Sequence, residues 1–160
     1  MYQLIRDALR RLVPRERPKL TDAAADETAE EKSMLQVLRE EARRRVRQGD
    51  PKLDEAAIEI SREWTRMRMR QEHPNLDEAA VGEIVENVER VYQLITDICR
   101  RRVQEKHPKL DEVDVEVTMM LIAKPPMQMV ESALVQRMHL PAEERMQQVA
   151  MIMVDKVFSL

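Results

Sequence analysis

His73-Pro-Asn-Leu-Asp-Glu78 and His107-Pro-Lys-Leu-Asp-Glu112 are two copies of one phrase, with a third at Asp50-Pro-Lys-Leu-Asp-Glu55 and a weaker fourth at Pro18-Lys-Leu-Thr-Asp22. Each part of the phrase has a physical reading. Proline pushes the residue before it out of the α region and so closes a helix. An aspartate three residues later can accept a hydrogen bond from the first turn of the next helix, which makes Asp54, Asp77 and Asp111 candidate N-caps. With those caps, Leu53, Leu76 and Leu110 stand just before the helix, and Ile58, Val81 and Val115 are its fourth residues, the spacing of a hydrophobic staple. The prolines are 33, 23 and 34 residues apart, too uneven for a solenoid repeat. The phrase is a reused helix boundary.

The charges on either side agree with that reading. Arg43-Arg44-Arg45, Arg66-Met-Arg68-Met-Arg70 and Arg100-Arg101-Arg102 stand where helices end, and Asp-Glu pairs open the next ones, matching the helix dipole at both ends. Glu40–Arg44, Glu41–Arg45, Glu86–Arg90 and Asp97–Arg101 are four-residue pairs with the acid leading, which add support.

Apolar spacing predicts a short amphipathic helix near 2–12 and an acidic linker to about 29. Helices then follow near 30–48, near 54–71 (Ile60, Trp64, Met67), and near 77–105 (Ala80, Ile84, Val88, Val91, Ile95, Ile98, Val103). Residues 113–121 alternate briefly like a strand, but the preceding boundary phrase predicts a helix there. Pro125-Pro126 breaks the chain, and helices are expected near 127–139 and 141–158, the last with Pro141 at its first turn. The expectation is an all-α protein, an irregular helical bundle or stacked helical hairpins. Its segments are 1–29 (amphipathic helix and acidic linker) and 30–160, the latter divided into 30–124 and a Met-rich hairpin over 125–160.

Composition narrows the function classes. The chain has 160 residues, 43% hydrophobic and 36% charged, suited to a single folded domain. Two glycines and 2% aromatic residues argue against glycine-rich phosphate loops and base-stacking platforms. A single cysteine, Cys99, permits no internal disulfide. No run approaches the roughly 20 apolar residues of a membrane span, and the N-terminus lacks a secretory pattern, so a soluble, cytoplasmic protein is expected. Charge is uneven: residues 1–20 carry six basic and two acidic groups, residues 21–35 one basic and five acidic.

Eight of the twelve methionines follow residue 118. Methionine adapts to irregular cores and to interaction surfaces alike. Met146, Val149, Ala150, Met153 and Val157 form one stripe, whereas Met129, Met138, Met151, Ile152 and Phe158 widen the apolar face and are the candidate protein interface. Arg43, Arg44, Arg62, Arg66, Arg70 and Arg101 are the candidate basic patch. Arg62, Arg66 and Arg70 line one face and need an answer, from phosphates or from carboxylates such as Glu83 and Glu86 on the next helix. The basic start, with Arg6, Arg10, Arg11, Arg15 and Arg17, suits docking onto protein or an anionic surface.

Glu83-x-x-Glu86 with Asp111-x-x-Asp114 resembles the paired acidic motifs of all-helical nucleotide pyrophosphohydrolases, over four residues only. That resemblance implies a magnesium-dependent nucleotide hydrolase. His73, His107 and His139 lack metal-ligand spacing, and no metal or cofactor is expected. The leading expectation is a non-enzymatic helical interaction protein, an adaptor or assembly subunit, with another protein or its own copy as partner. A nucleic-acid-associated protein comes second and the hydrolase third.

Overall fold

The computed structural model describes residues 29–49 and 55–159. It is all-α: six helices make up 82% of the described residues, and none of those residues forms a strand. In chain order they are α1 (Ala29–Gln48), α2 (Glu55–Glu72), α3 (Glu78–Lys106), α4 (Glu112–Leu121), α5 (Met127–Val135) and α6 (Ala142–Ser159). The amphipathic segment expected near 2–12, with its arginines, and the cap expected at Asp54 lie outside the described residues.

The boundary phrase folds the same way at both described copies. His73 N–H donates to the Met69 carbonyl (2.8 Å) and Leu76 N–H to the His73 carbonyl (3.1 Å); at the other copy His107 N–H donates to Val103 (2.9 Å) and Leu110 N–H to His107 (3.1 Å). Asp77 Oδ1 then accepts from Ala80 N–H at 2.7 Å, and Asp111 Oδ1 from Asp114 N–H at 2.8 Å. Both expected caps are therefore in place. Leu76 and Leu110 are half-buried and Val81 and Val115 buried, as the staple positions require. The alternating stretch 113–121 is helical, because Asp111 starts a helix ahead of it. Gly49 follows α1 with a φ of +75°, the left-handed position that ends many helices.

The described residues fall into two compact units, one of residues 29–49 and 102–122, the other of residues 55–101 and 123–159. In the first, α1 packs on α4 around Leu35, Ala42 and Val117, with Leu38, Val113, Met120 and Leu121 against them. Arg39 Nη2 reaches the fully buried Asp114 carboxylate at 2.8 Å. Arg44 takes both Glu41 oxygens (2.9 and 2.7 Å) and Arg45 adds a bond at 3.2 Å, so the two guanidiniums hold the Glu41 carboxyl down at about 2. Arg45 pairs with Glu41 as expected, whereas Arg44 reaches Glu41 one turn back and not Glu40.

In the second unit, Val81, Ile84, Val85, Val88, Val91, Ile95 and Cys99 form the buried stripe of α3. The same unit buries Val130 and Leu134 of α5 and Val149, Ala150, Met153 and Val154 of α6, and α5 packs on α6. Each fully buried aliphatic side chain contributes about 1.5–3 kcal/mol relative to exposure. Helix α5 stops at Val135, four residues short of the expected 139. From there Arg137 N–H reaches Leu134, Met138 reaches Val135 and Leu140 reaches Arg137, a run of tightened turns. The buried Arg145 guanidinium holds the turn that follows α5, donating to the carbonyls of Arg137 (3.2 Å) and Leu140 (2.9 Å) and to Glu83 (3.0 Å).

Candidate functional site

Helix α2 is apolar on two opposite faces. At 100° per residue, Ile58, Thr65 and Met69 point one way, and Thr65 and Met69 are buried. Ile60, Trp64 and Met67 point the other way and remain 60%, 63% and 46% exposed. These three residues define the helix by their spacing, yet they are its outer surface. Isolated exposed apolar residues are ordinary; a tryptophan flanked one turn to each side by Ile60 and Met67 is a contiguous patch.

Arginines fasten α2 from its flanks and inner side. Arg62 donates to Glu89 of α3 (3.3 and 3.0 Å), and Arg70 to both oxygens of Glu78 (2.9 Å each). Arg66 stays on its own helix, at 2.8 Å from Glu63 and 3.5 Å from Glu59. Pairing raises all three guanidinium pKa values and lowers that of Glu78, in each case chiefly through these hydrogen bonds. The expected stripe of like charge therefore exists and is answered by hydrogen bonds to carboxylates other than Glu83 and Glu86; Glu86 adds a lesser favourable charge near Arg62, and Glu83 belongs to Arg145. Exposed pairs of this kind are individually weak, and two of them, Arg62–Glu89 and Arg70–Glu78, link α2 to α3.

Beneath α2 lies a polar contact that the sequence reading did not single out. Arg68 Nη2 donates to Glu131 Oε1 at 2.8 Å, and the Glu131 side chain is only 1% exposed. Arg68 also approaches the Met127 sulfur (3.4 Å), as does the Thr65 hydroxyl (3.5 Å). Glu131 Oε2 and Arg68 Nε have no hydrogen-bond partner among the described residues. Burial raises the Glu131 carboxyl pKa, with the Arg68 charge opposing. Burial also raises the Tyr92 phenol, helped by the Glu131 charge, while its hydroxyl donates to the Pro125 carbonyl at 2.6 Å. One clue was visible: Glu131 is the only charge in the apolar run Met127–Val135.

The expected C-terminal interface is only partly at the surface. Met129 and Met151 are exposed, with the Lys156 ammonium 3.8 Å from the Met129 sulfur; Met138, Ile152 and Phe158 are half-buried. Met146 and Met153 are core. Met151 and Ile152 line a shallow depression with Gln147 and Gln148. Of the remaining basic candidates, Arg43 and Arg101 are exposed and Arg44 is held by Glu41.

Among the described residues no group of three or more His, Cys, Asp or Glu is arranged to hold a metal ion, and no helix is long and apolar enough to cross a membrane. Of the four acids in the hydrolase-like pattern, Asp111 is a helix cap, Asp114 is bound by Arg39 and Glu83 by Arg145. No protein-family model, curated protein or solved structure matches the chain.

Proposed function

We propose that this protein is a non-enzymatic helical interaction protein, an adaptor or assembly subunit, and that the outer face of α2 is its principal contact surface. The reading is carried by one observation, the Ile60–Trp64–Met67 patch facing solvent on a helix whose opposite face is already packed. A large exposed aromatic ringed by aliphatic groups is the composition of an interface hot spot. The Arg62–Glu89 pair supports it further, since it ties α2 to α3 and reduces the ordering cost of binding. A cytoplasmic setting goes with this reading.

The arginine stripe lends less support to nucleic-acid binding, because Arg62, Arg66 and Arg70 each already engage a carboxylate. The test is partner capture from native extract by the full chain and by Trp64→Glu. The reading requires proteins retained by the parent and lost by the variant, with an unchanged thermal melt. Identical retention by both removes it.

A further inference from the structure

Resting on that reading, we propose that the occupant of the outer α2 face is a second copy of this chain, packed antiparallel about a twofold axis passing through Trp64. The order of charges along α2 selects this occupant. Along one side of the patch run Glu59, Glu63, Arg66 and Arg70, acidic toward the helix N-terminus and basic toward its C-terminus. A twofold axis perpendicular to the pair keeps each flank on its own side and reverses its direction. Glu59 then meets Arg70 of the second copy, and Glu63 meets Arg66. Within a residue or two of the same register Trp64 stacks on its own counterpart and Ile60 faces Met67. A parallel pairing about a twofold along the helices exchanges the flanks, so that the charged flank meets the one carrying Ser61 and Arg68 and its order of charges finds no complement.

The other flank raises no obstacle. It carries Ser61, which is uncharged, Arg68, whose guanidinium is drawn inward by Glu131, and Glu72, which this register sets opposite Ala57 of the second copy. On the charged flank, the pairs of Arg66 with Glu63 and Glu59 and of Arg70 with Glu78 are surface pairs that exchange partners at little cost. One helix face thus carries both the apolar patch and its own electrostatic complement. A foreign partner would have to supply that same order of charges in reverse.

The patch is small. Three apolar side chains offer on the order of 300 Å² per copy, against roughly 800 Å² per partner in a standard interface, so a weak, concentration-dependent dimer is expected. Sedimentation equilibrium of the full chain from about 1 to about 200 µM should show the mass doubling with a midpoint on the order of 10 µM. Trp64 is the chain's one tryptophan, and its emission should shift to the blue over the same range.

Trp64→Glu should stay monomeric with an unchanged melt. Two further variants test the charge order: Glu59→Arg with Glu63→Arg, and Arg66→Glu with Arg70→Glu. Each should be monomeric alone, and an equimolar mixture of the two should form a heterodimer. A monomer at every concentration, a dimer that survives Trp64→Glu, or a mixture that fails to associate each overturns the second copy as occupant. If the chain is monomeric while Trp64→Glu still loses captured partners, only the second copy falls and the wider reading stands.

Discussion

Arg68 and Glu131 are 63 residues apart in sequence, yet Nη2 of one lies 2.8 Å from Oε1 of the other, with the carboxylate almost wholly withdrawn from water. A buried pair of this kind is a weak source of net stability but a costly one to break, because removing one partner strands the other's charge. Arg68→Met should lower the unfolding free energy by about 3 kcal/mol in urea denaturation. Arg68→Met combined with Glu131→Met should recover much of the loss. A single variant as stable as the parent would show that the pair does not form.

The same carboxyl sets a pH dependence. Its folded pKa is raised from the ordinary 4.5, so above that value the folded chain retains a proton that the unfolded chain has released. The resulting stability is complete below the unfolded pKa and is lost as pH rises through the folded one. Glu131→Gln lacks this dependence. Its urea midpoint should therefore improve relative to the parent between about pH 4 and about pH 7; a constant difference across that range would contradict the raised pKa. Comparison with the parent is needed because Glu41 and Glu78, whose pKa values are lowered, act in the opposite direction.

The two boundary phrases predict matching mutational costs. Asp77→Ala and Asp111→Ala each remove a side-chain acceptor from a helix start, and each should cost about 1 kcal/mol. Replacement by Asn or Ser should restore most of that. A clear inequality between the two alanine variants would mean that one cap has a role besides ending the turn.

The two glycines should respond in opposite directions. A Cβ meets nothing within 4 Å at either. Gly49→Ala is strained by its φ of +75° and should destabilise by about 1 kcal/mol. Gly82→Ala, in α3, should stabilise by about 0.5–1 kcal/mol. Calorimetric melting temperatures moving in the same direction for both would refute the backbone argument.

Much of the fold was legible because it rests on local rules. The Asp77 and Asp111 caps, the prolines and the heptad-like spacing of α3 act within a turn or two of chain, and the structure follows them to within a residue or two. What was not legible depends on partners distant in sequence. Helix α5 gives way to turns whose Arg137 and Leu140 carbonyls are held by Arg145, and nothing near Val135 announces it. The orientation of α2 was equally hidden: Ile60, Trp64 and Met67 establish a period, but a period fixes no direction when Ile58, Thr65 and Met69 supply a second apolar face. Methionine enrichment after residue 118 suited core and surface alike: Met146 and Met153, on the expected stripe, are core, whereas Met129 and Met151 are exposed.

The inner and outer faces of α2 share no side chain. Substitutions at Ile60, Trp64 or Met67 therefore weigh far less on folding than those at the buried Thr65 or Met69, which in turn leave the outer surface unchanged. A lineage carrying this helix can alter what it associates with, or give up association altogether, by drift at three positions without first acquiring stability in reserve.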